Sequence, residues 1–217
     1  MSDRDQALAM LRQSRVVAMD AHRAEQIRHR EAHYRNSLPE TVQEARLSRF
    51  HARDAADAAV LASARQWVQG IVEGGKTNLA VFGPVGTGKT WLLAAIGWAL
   101  LPTQRPAVYL RAPLAWAAIR ATYDGRRDES ESDLMGRWVG APVLLLDELG
   151  AGHVTDAYRA FVAEVIGRRT DDGRPTVVAS NLGPADWVSA CDERAADRMA
   201  GGVQLPVLGA SRRGAAA

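Results

Sequence analysis

From residue 79 onward, short unbroken apolar runs alternate with longer stretches in which apolar residues return at helical spacing. The runs Leu79-Ala80-Val81-Phe82, Ala107-Val108-Tyr109-Leu110, Val143-Leu144-Leu145-Leu146, Thr176-Val177-Val178-Ala179 and Val203 to Leu208 predict strands. Their lack of polar alternation predicts burial on both faces. Trp91 to Leu101, Pro113 to Tyr123 and Thr155 to Arg168 predict helices, and Asp124 to Ser132 a polar loop. This alternation predicts an α/β fold, a parallel sheet covered by helices on both faces.

The N-terminal third follows another pattern. Residues 3–35 are rich in helix formers, with Leu8, Leu11, Val17 and Ile27 scattered among Arg, Glu, Gln and His. So thin an apolar stripe suits a loosely packed helix, a partner-binding arm or a segment that orders on binding. His22, His29 and His33 lie at helical spacing, and nothing nearby completes a metal site, so they read as a solvated face. Asn36-Ser37-Leu38-Pro39-Glu40 marks a boundary. Beyond it, Thr41 to Phe50 and Asp54 to Val72 predict two further helices, the second with Leu61, Ala64, Val68 and Ile71 on one stripe and Gly74-Gly75 at its end. The expected organisation is a helical arm over residues 1–35, a helical connector over 36–75, an α/β core over 76–213 and a flexible tail over 214–217.

Composition narrows the class. The chain has 217 residues, of which 47% are hydrophobic, enough for a substantial core and one domain with an accessory segment. A formal charge of +2 gives no nucleic-acid signal in the average, although arginines can still be concentrated on one face. A single cysteine, Cys191, fits a reducing compartment. With no signal-like start and no apolar run long enough to span a bilayer, a cytoplasmic protein without a membrane role is expected.

The chemistry is concentrated in Gly83-Pro84-Val85-Gly86-Thr87-Gly88-Lys89-Thr90, which lies between a predicted strand and a predicted helix. In that context it is a phosphate-binding loop. Glycines let unpaired backbone amides approach phosphate oxygens, and the helix start adds a partial positive charge. Lys89 is expected at the terminal phosphates and the Thr90 hydroxyl on Mg2+. The predicted strand at Val143 ends in Asp147 and Glu148, which suit a magnesium ligand and a residue that orients the attacking water. A third strand ends in Ser180-Asn181, where an amide beside the phosphate loop can address the terminal phosphate or water. In Glu193-Arg194-Ala195-Ala196-Asp197-Arg198-Met199, two arginines share a helix face, and one could serve as a finger on a neighbouring subunit's nucleotide.

Together with Leu144 to Gly150, Ser180-Asn181-Leu182 and the terminal Gly209-Ala210-Ser211-Arg212-Arg213, these motifs resemble the AAA+ ATPases of the DnaC type. Those are bacterial and phage replicative helicase loaders, and the IstB-type transposition helper ATPases are their close relatives. The resemblance covers residues 36 to 213. It implies a five-stranded parallel AAA+ core without a sizeable lid, binding ATP or ADP with Mg2+ through residues 83–90 and the adjoining Trp91. It also implies Asn181 as sensor 1, Arg198 as a finger in trans assisted by Arg194, and a sensor-like or interface role for Arg212 or Arg213. Single-stranded DNA would meet Arg111, Arg120, Arg126 and Arg127, and the N-terminal segment would grip a hexameric replicative helicase.

The expected function is therefore an ATP-dependent helicase loader that self-associates through the ATP site. An IstB-type transposition helper has the same chemistry and a different client. A P-loop kinase acting on a small molecule is a more distant alternative, since its nucleophile is the substrate and it would not need Glu148. A non-hydrolysing binding module is disfavoured by the intact Lys89, Asp147 and Glu148.

Overall fold

A computed structural model describes residues 3–123 and 128–212, and for residues 3–12, 14 and 16 the backbone alone. Strands β1 (Leu79–Phe82), β2 (Ala107–Arg111), β3 (Val143–Leu149), β4 (Thr176–Ser180) and β5 (Val203–Pro206) form one parallel sheet in the order β2-β3-β4-β1-β5. The expected parallel α/β core is borne out. Because successive strand residues face opposite sides, Leu79 and Val81 enter one core layer and Ala80 the other. The first layer is built with the end of α1 (Asp3–Ser37), α2 (Ala55–Val72) and α3 (Lys89–Leu100). The second contains residues of α4 (Ala112–Tyr123), α5 (Glu131–Gly140), α6 (Asp156–Asp171) and α7 (Glu193–Ala200).

Two segments differ from expectation. The helix expected over Thr41 to Phe50 is instead two single 3-10 turns, Glu40–Val42 and Leu47–Arg49, separated by Arg46 in an extended conformation. A segment this short has little helical stability of its own. Tertiary packing decides its path: Val42 and Ala45 enter the core, and the Arg46 guanidinium lies 3.7 Å from the Trp98 ring centroid while donating to the carbonyls of Gln43 and Ala45.

The second difference is α5, whose first residues fall in the expected polar loop. Ser130 caps it in a reciprocal capping box with Asp133, and Leu134, Met135, Trp138 and Val139 are buried. Its last carbonyls are taken by Arg169, fully buried in α6, which donates to the carbonyls of Trp138, Val139, Ala141 and Pro175 and to the Thr176 hydroxyl. Burial pushes the Arg169 guanidinium down to about 10, so it remains charged at neutral pH. One buried cation thus joins α5, α6 and β4.

The long helix α1 has two characters. From Val17 to His33 it is exposed except for the half-buried Ile27. At Tyr34 it joins the core: the ring meets Trp98 edge-on at 5.3 Å, and the buried hydroxyl donates to the Ala94 carbonyl at 3.1 Å. Gly97 makes this docking possible, because a Cβ there would come within 1.8 Å of the Tyr34 hydroxyl. A cut that separates arm from core therefore falls before Tyr34, inside the segment 1–35. Arg126, Arg127, Arg213 and the tail 214–217 lie outside the described residues.

The Tyr34 contact predicts a graded loss of stability. Tyr34→Phe, which deletes one buried hydrogen bond, should cost about 1 kcal/mol, and Tyr34→Ala, which opens a cavity, about 3 kcal/mol or more. Urea denaturation measures both; two equal and negligible losses would mean that α1 is not docked.

Candidate functional site

Parallel pairing on both edges of β4 brings three strand ends to one place. Phe82 at the end of β1 pairs with Ser180 at the end of β4, and β3 lies on the other side of β4. The loop after β1, the acids ending β3 and Asn181 after β4 therefore line a single cavity of about 750 Å³. That volume lies within the usual range of ligand pockets.

The loop has the backbone its glycines were expected to supply. Gly83, Gly86 and Gly88 have φ of 148°, 83° and 108°. Gly88 is the N-cap of α3, so the helix begins at Lys89, two residues earlier than periodicity alone suggested. Gly83 also lies so close to Val207 that a Cβ would come 2.1 Å from its carbonyl oxygen. Lys89 is buried and reaches back across the loop, donating to the carbonyls of Gly83 and Pro84 at 2.7 Å each. The Thr87 hydroxyl also donates to the Pro84 carbonyl.

Asp147 is 2% exposed and accepts from the Tyr109 hydroxyl at 2.7 Å, the Glu148 amide at 2.9 Å and the Thr90 hydroxyl. Burial raises its pKa, and these donors oppose the rise. Burial and the adjacent carboxylate also raise the Tyr109 phenol, which therefore stays protonated as a donor. A buried carboxylate next to a hydroxyl at the phosphate end of the cavity is an all-oxygen pair that fits Mg2+, a cation that keeps part of its shell for waters and phosphates. Among the described residues there is no group of three or more His, Cys, Asp or Glu arranged to hold a metal by themselves.

Glu148 has the single positive φ among described non-glycine residues, 59°, at a break in the β3–β4 register. Such a conformation costs on the order of 1 kcal/mol, and this one turns the carboxylate to the cavity rim. There Arg111, at the end of β2, holds both oxygens, with N–O distances of 2.8 to 3.1 Å. Arg111, expected to contact DNA phosphates, is in this structure the partner of Glu148. Arg120 is exposed on α4.

The remaining expected residues divide. Asn181 is exposed at the cavity. Arg194 is exposed in the first turn of α7. Arg198 donates to Asp171 at 2.8 Å, and its carbonyl accepts from Asn78, the residue before β1. It therefore sits toward the end of the sheet away from the phosphate loop.

Sequence reading missed the far wall of the cavity, formed by Pro39, Thr41, Val42, Phe50 and His51. Phe50 and Trp91 meet there with ring centroids 5.5 Å apart. Two aromatics flanking a loop of phosphate-binding type were the available signal, but 41 residues of sequence separate them.

Fold and site define the class, an AAA+ P-loop nucleotide-binding protein. Residues 8–200 match the family described as IstB-like ATP binding protein, and the chain belongs to that family. The replicative helicase loader DnaC of Escherichia coli (strain K12) is 27% identical over 148 residues, covering 68% of this chain and 60% of DnaC. The uncharacterized protein YdaV of the same strain is 30% identical over 125 residues, 58% of this chain and 50% of YdaV. The chain thus spans about half to three-fifths of the length of these curated relatives. A crystal structure of the DnaC helicase loader superposes with a TM-score of 0.69 at 20% identity, over 77% of this chain and 99% of that one, a likeness of fold.

For any ATP turnover that the protein carries out, the Arg111 pair would act as a brake, because a carboxylate with both oxygens engaged is less available to orient water. Arg111→Ala should raise basal ATP turnover several-fold. Phosphate release measured without DNA or partner checks this; a fall to background would mean that the pair holds Glu148 in its working position.

Proposed function

We propose that the protein hydrolyses ATP with Mg2+ and acts as a DnaC-type helicase loader, binding single-stranded DNA and a hexameric replicative helicase. The observation that carries the reading is the convergence of Lys89, the Thr90–Asp147 pair, Glu148 and Asn181 on one cavity. The loop amides and Lys89 bind the β- and γ-phosphates, and Thr90 with Asp147 holds the cation, which draws charge from the transferring phosphoryl group. The purine base lies against the wall of residues 39–51 and Trp91. Glu148, once free of Arg111, orients the attacking water, and Asn181 donates to the terminal phosphate or that water. A water-orienting carboxylate at the rim favours hydrolysis over small-molecule phosphorylation.

The finger acts in trans. Of the two arginines, Arg194 suits the role better, because it is exposed at the start of α7, whereas Arg198 is paired with Asp171. Arg198 then keeps α7 in place. Lys89→Ala should abolish nucleotide binding, and Glu148→Gln should bind ATP but turn it over on the order of 100-fold more slowly. Mixing Lys89→Ala with Arg194→Ala protein should restore part of the turnover. Wild-type turnover by Glu148→Gln, or none by the wild type under any condition, would contradict the hydrolytic reading.

Homologues named as helicase loaders support the client assignment. Single-stranded DNA is assigned to the exposed side of α4, where Arg120 lies one turn from the exposed Tyr123, a cation with an aromatic for base stacking. The exposed length of α1 is the helicase-binding arm. The IstB-like family match supports a second reading, a transposition helper with a transposase as client. Removing residues 1–28, which leaves Tyr34 in place, should abolish co-elution with a replicative helicase and preserve ATP binding. Co-elution of the full chain with transposase and not with helicase would establish the second reading instead.

A further inference from the structure

The segment after β5 runs along the phosphate loop and contacts it through Ser211 and Arg212. The Val207 amide donates to the Phe82 carbonyl at 2.7 Å, and the Arg212 amide donates to the Gly86 carbonyl at 2.8 Å. The Arg212 side chain continues the contact: Nε donates to the Thr87 carbonyl at 3.1 Å, one terminal nitrogen to the His51 carbonyl at 2.9 Å and the other to Asp57 at 2.6 Å. Its guanidinium lies 4.7 Å from the Phe50 ring centroid. Contact with the loop is close, since a Cβ at Gly86 would meet the Ser211 hydroxyl at 2.3 Å and one at Gly88 would meet Arg212 at 3.1 Å.

Asp57 is the fixed end of this connection. It is 4% exposed on α2 and also accepts from the Arg53 amide and guanidinium. Arg53 in turn donates to the Ala210 carbonyl, so the same anchor holds the strap at two points. These contacts draw the Asp57 carboxyl down to about 2, and the pair stays charged at working pH.

Consecutive carbonyls held by one arginine set the direction of the amides beyond them. In a trans peptide the C=O and the following N–H point in opposite directions. Fixing the Gly86 and Thr87 oxygens on Arg212 therefore turns the Thr87 and Gly88 N–H groups away from the strap, as a phosphate nest requires. We propose that Arg212, anchored by Asp57, is a positioning residue that presets these loop amides for the nucleotide's phosphates without itself touching the terminal phosphate. The inference rests on the nucleotide-binding reading above and extends it to the residue that shapes the loop.

A nest gripping phosphates common to ADP and ATP weakens for both when it loses its shape, whereas a residue touching the terminal phosphate matters for ATP alone. The test is calorimetric titration of the full chain with ADP-Mg and with ATP-Mg, well below the melting temperature of each variant. Arg212→Ala should weaken both nucleotides by the same factor, about tenfold. Arg212→Lys keeps a charge for Asp57 but lacks the planar fork, so it should fold and still lose most of that affinity in both nucleotides. It is read in place of Arg212→Ala should the alanine variant fail to fold. Asp57→Asn combined with Arg212→Ala should cost less than the two single losses added.

Wild-type affinity for both nucleotides in Arg212→Lys and Arg212→Ala overturns the inference, as does a loss confined to ATP. Strict additivity with Asp57→Asn overturns the anchor. A wild-type chain that takes up neither nucleotide overturns the nucleotide-binding reading, and the inference with it.

Discussion

Parallel pairing of β1 and β3 with the two edges of β4 is the constraint on which the rest depends. All five residues of β4 are buried, between paired strands on both edges and helices on both faces. Once that register is set, three loops that are remote in sequence must leave the sheet side by side. The phosphate loop, Asp147 with Glu148, and Asn181 come together as a consequence of packing. A slip of β3 by one residue would exchange its two faces and turn Asp147 away from Thr90.

Charge at the site is held by pairing at every level of burial. Asp147, nearly inaccessible, is tolerated because a phenol, a hydroxyl and a backbone amide point at it. Lys89 is held against loop carbonyls that a phosphate would replace with better-matched oxygens. Glu148, at the half-exposed rim, is held by a forked guanidinium and by a strained backbone. Asp147 is thus positioned in advance, whereas Lys89 and Glu148 would exchange their present partners to act on phosphate.

Strands were legible because a strand buried on both faces leaves an unbroken apolar run, and the phosphate loop because its glycines meet a backbone demand that few other sequences meet. The connector at residues 39–51 was not. Its course follows from Arg46 lying on Trp98 and from Val42 and Ala45 entering the core, contacts with no local periodicity. Helix α5 had a local signature in its Ser130–Asp133 capping box, obscured by the polar run before it. Arg212 was visible as a candidate, but its partner Asp57 was not, because nothing near either residue specifies so distant an ion pair.

The central claim, that these elements form one nucleotide site, is tested most directly by amide hydrogen exchange with and without ATP-Mg. Ligand should slow exchange in the phosphate loop and the start of α3, and at the same time in residues 39–51 across the cavity. Protection of the loop without the connector, or protection confined to other surfaces, would contradict it.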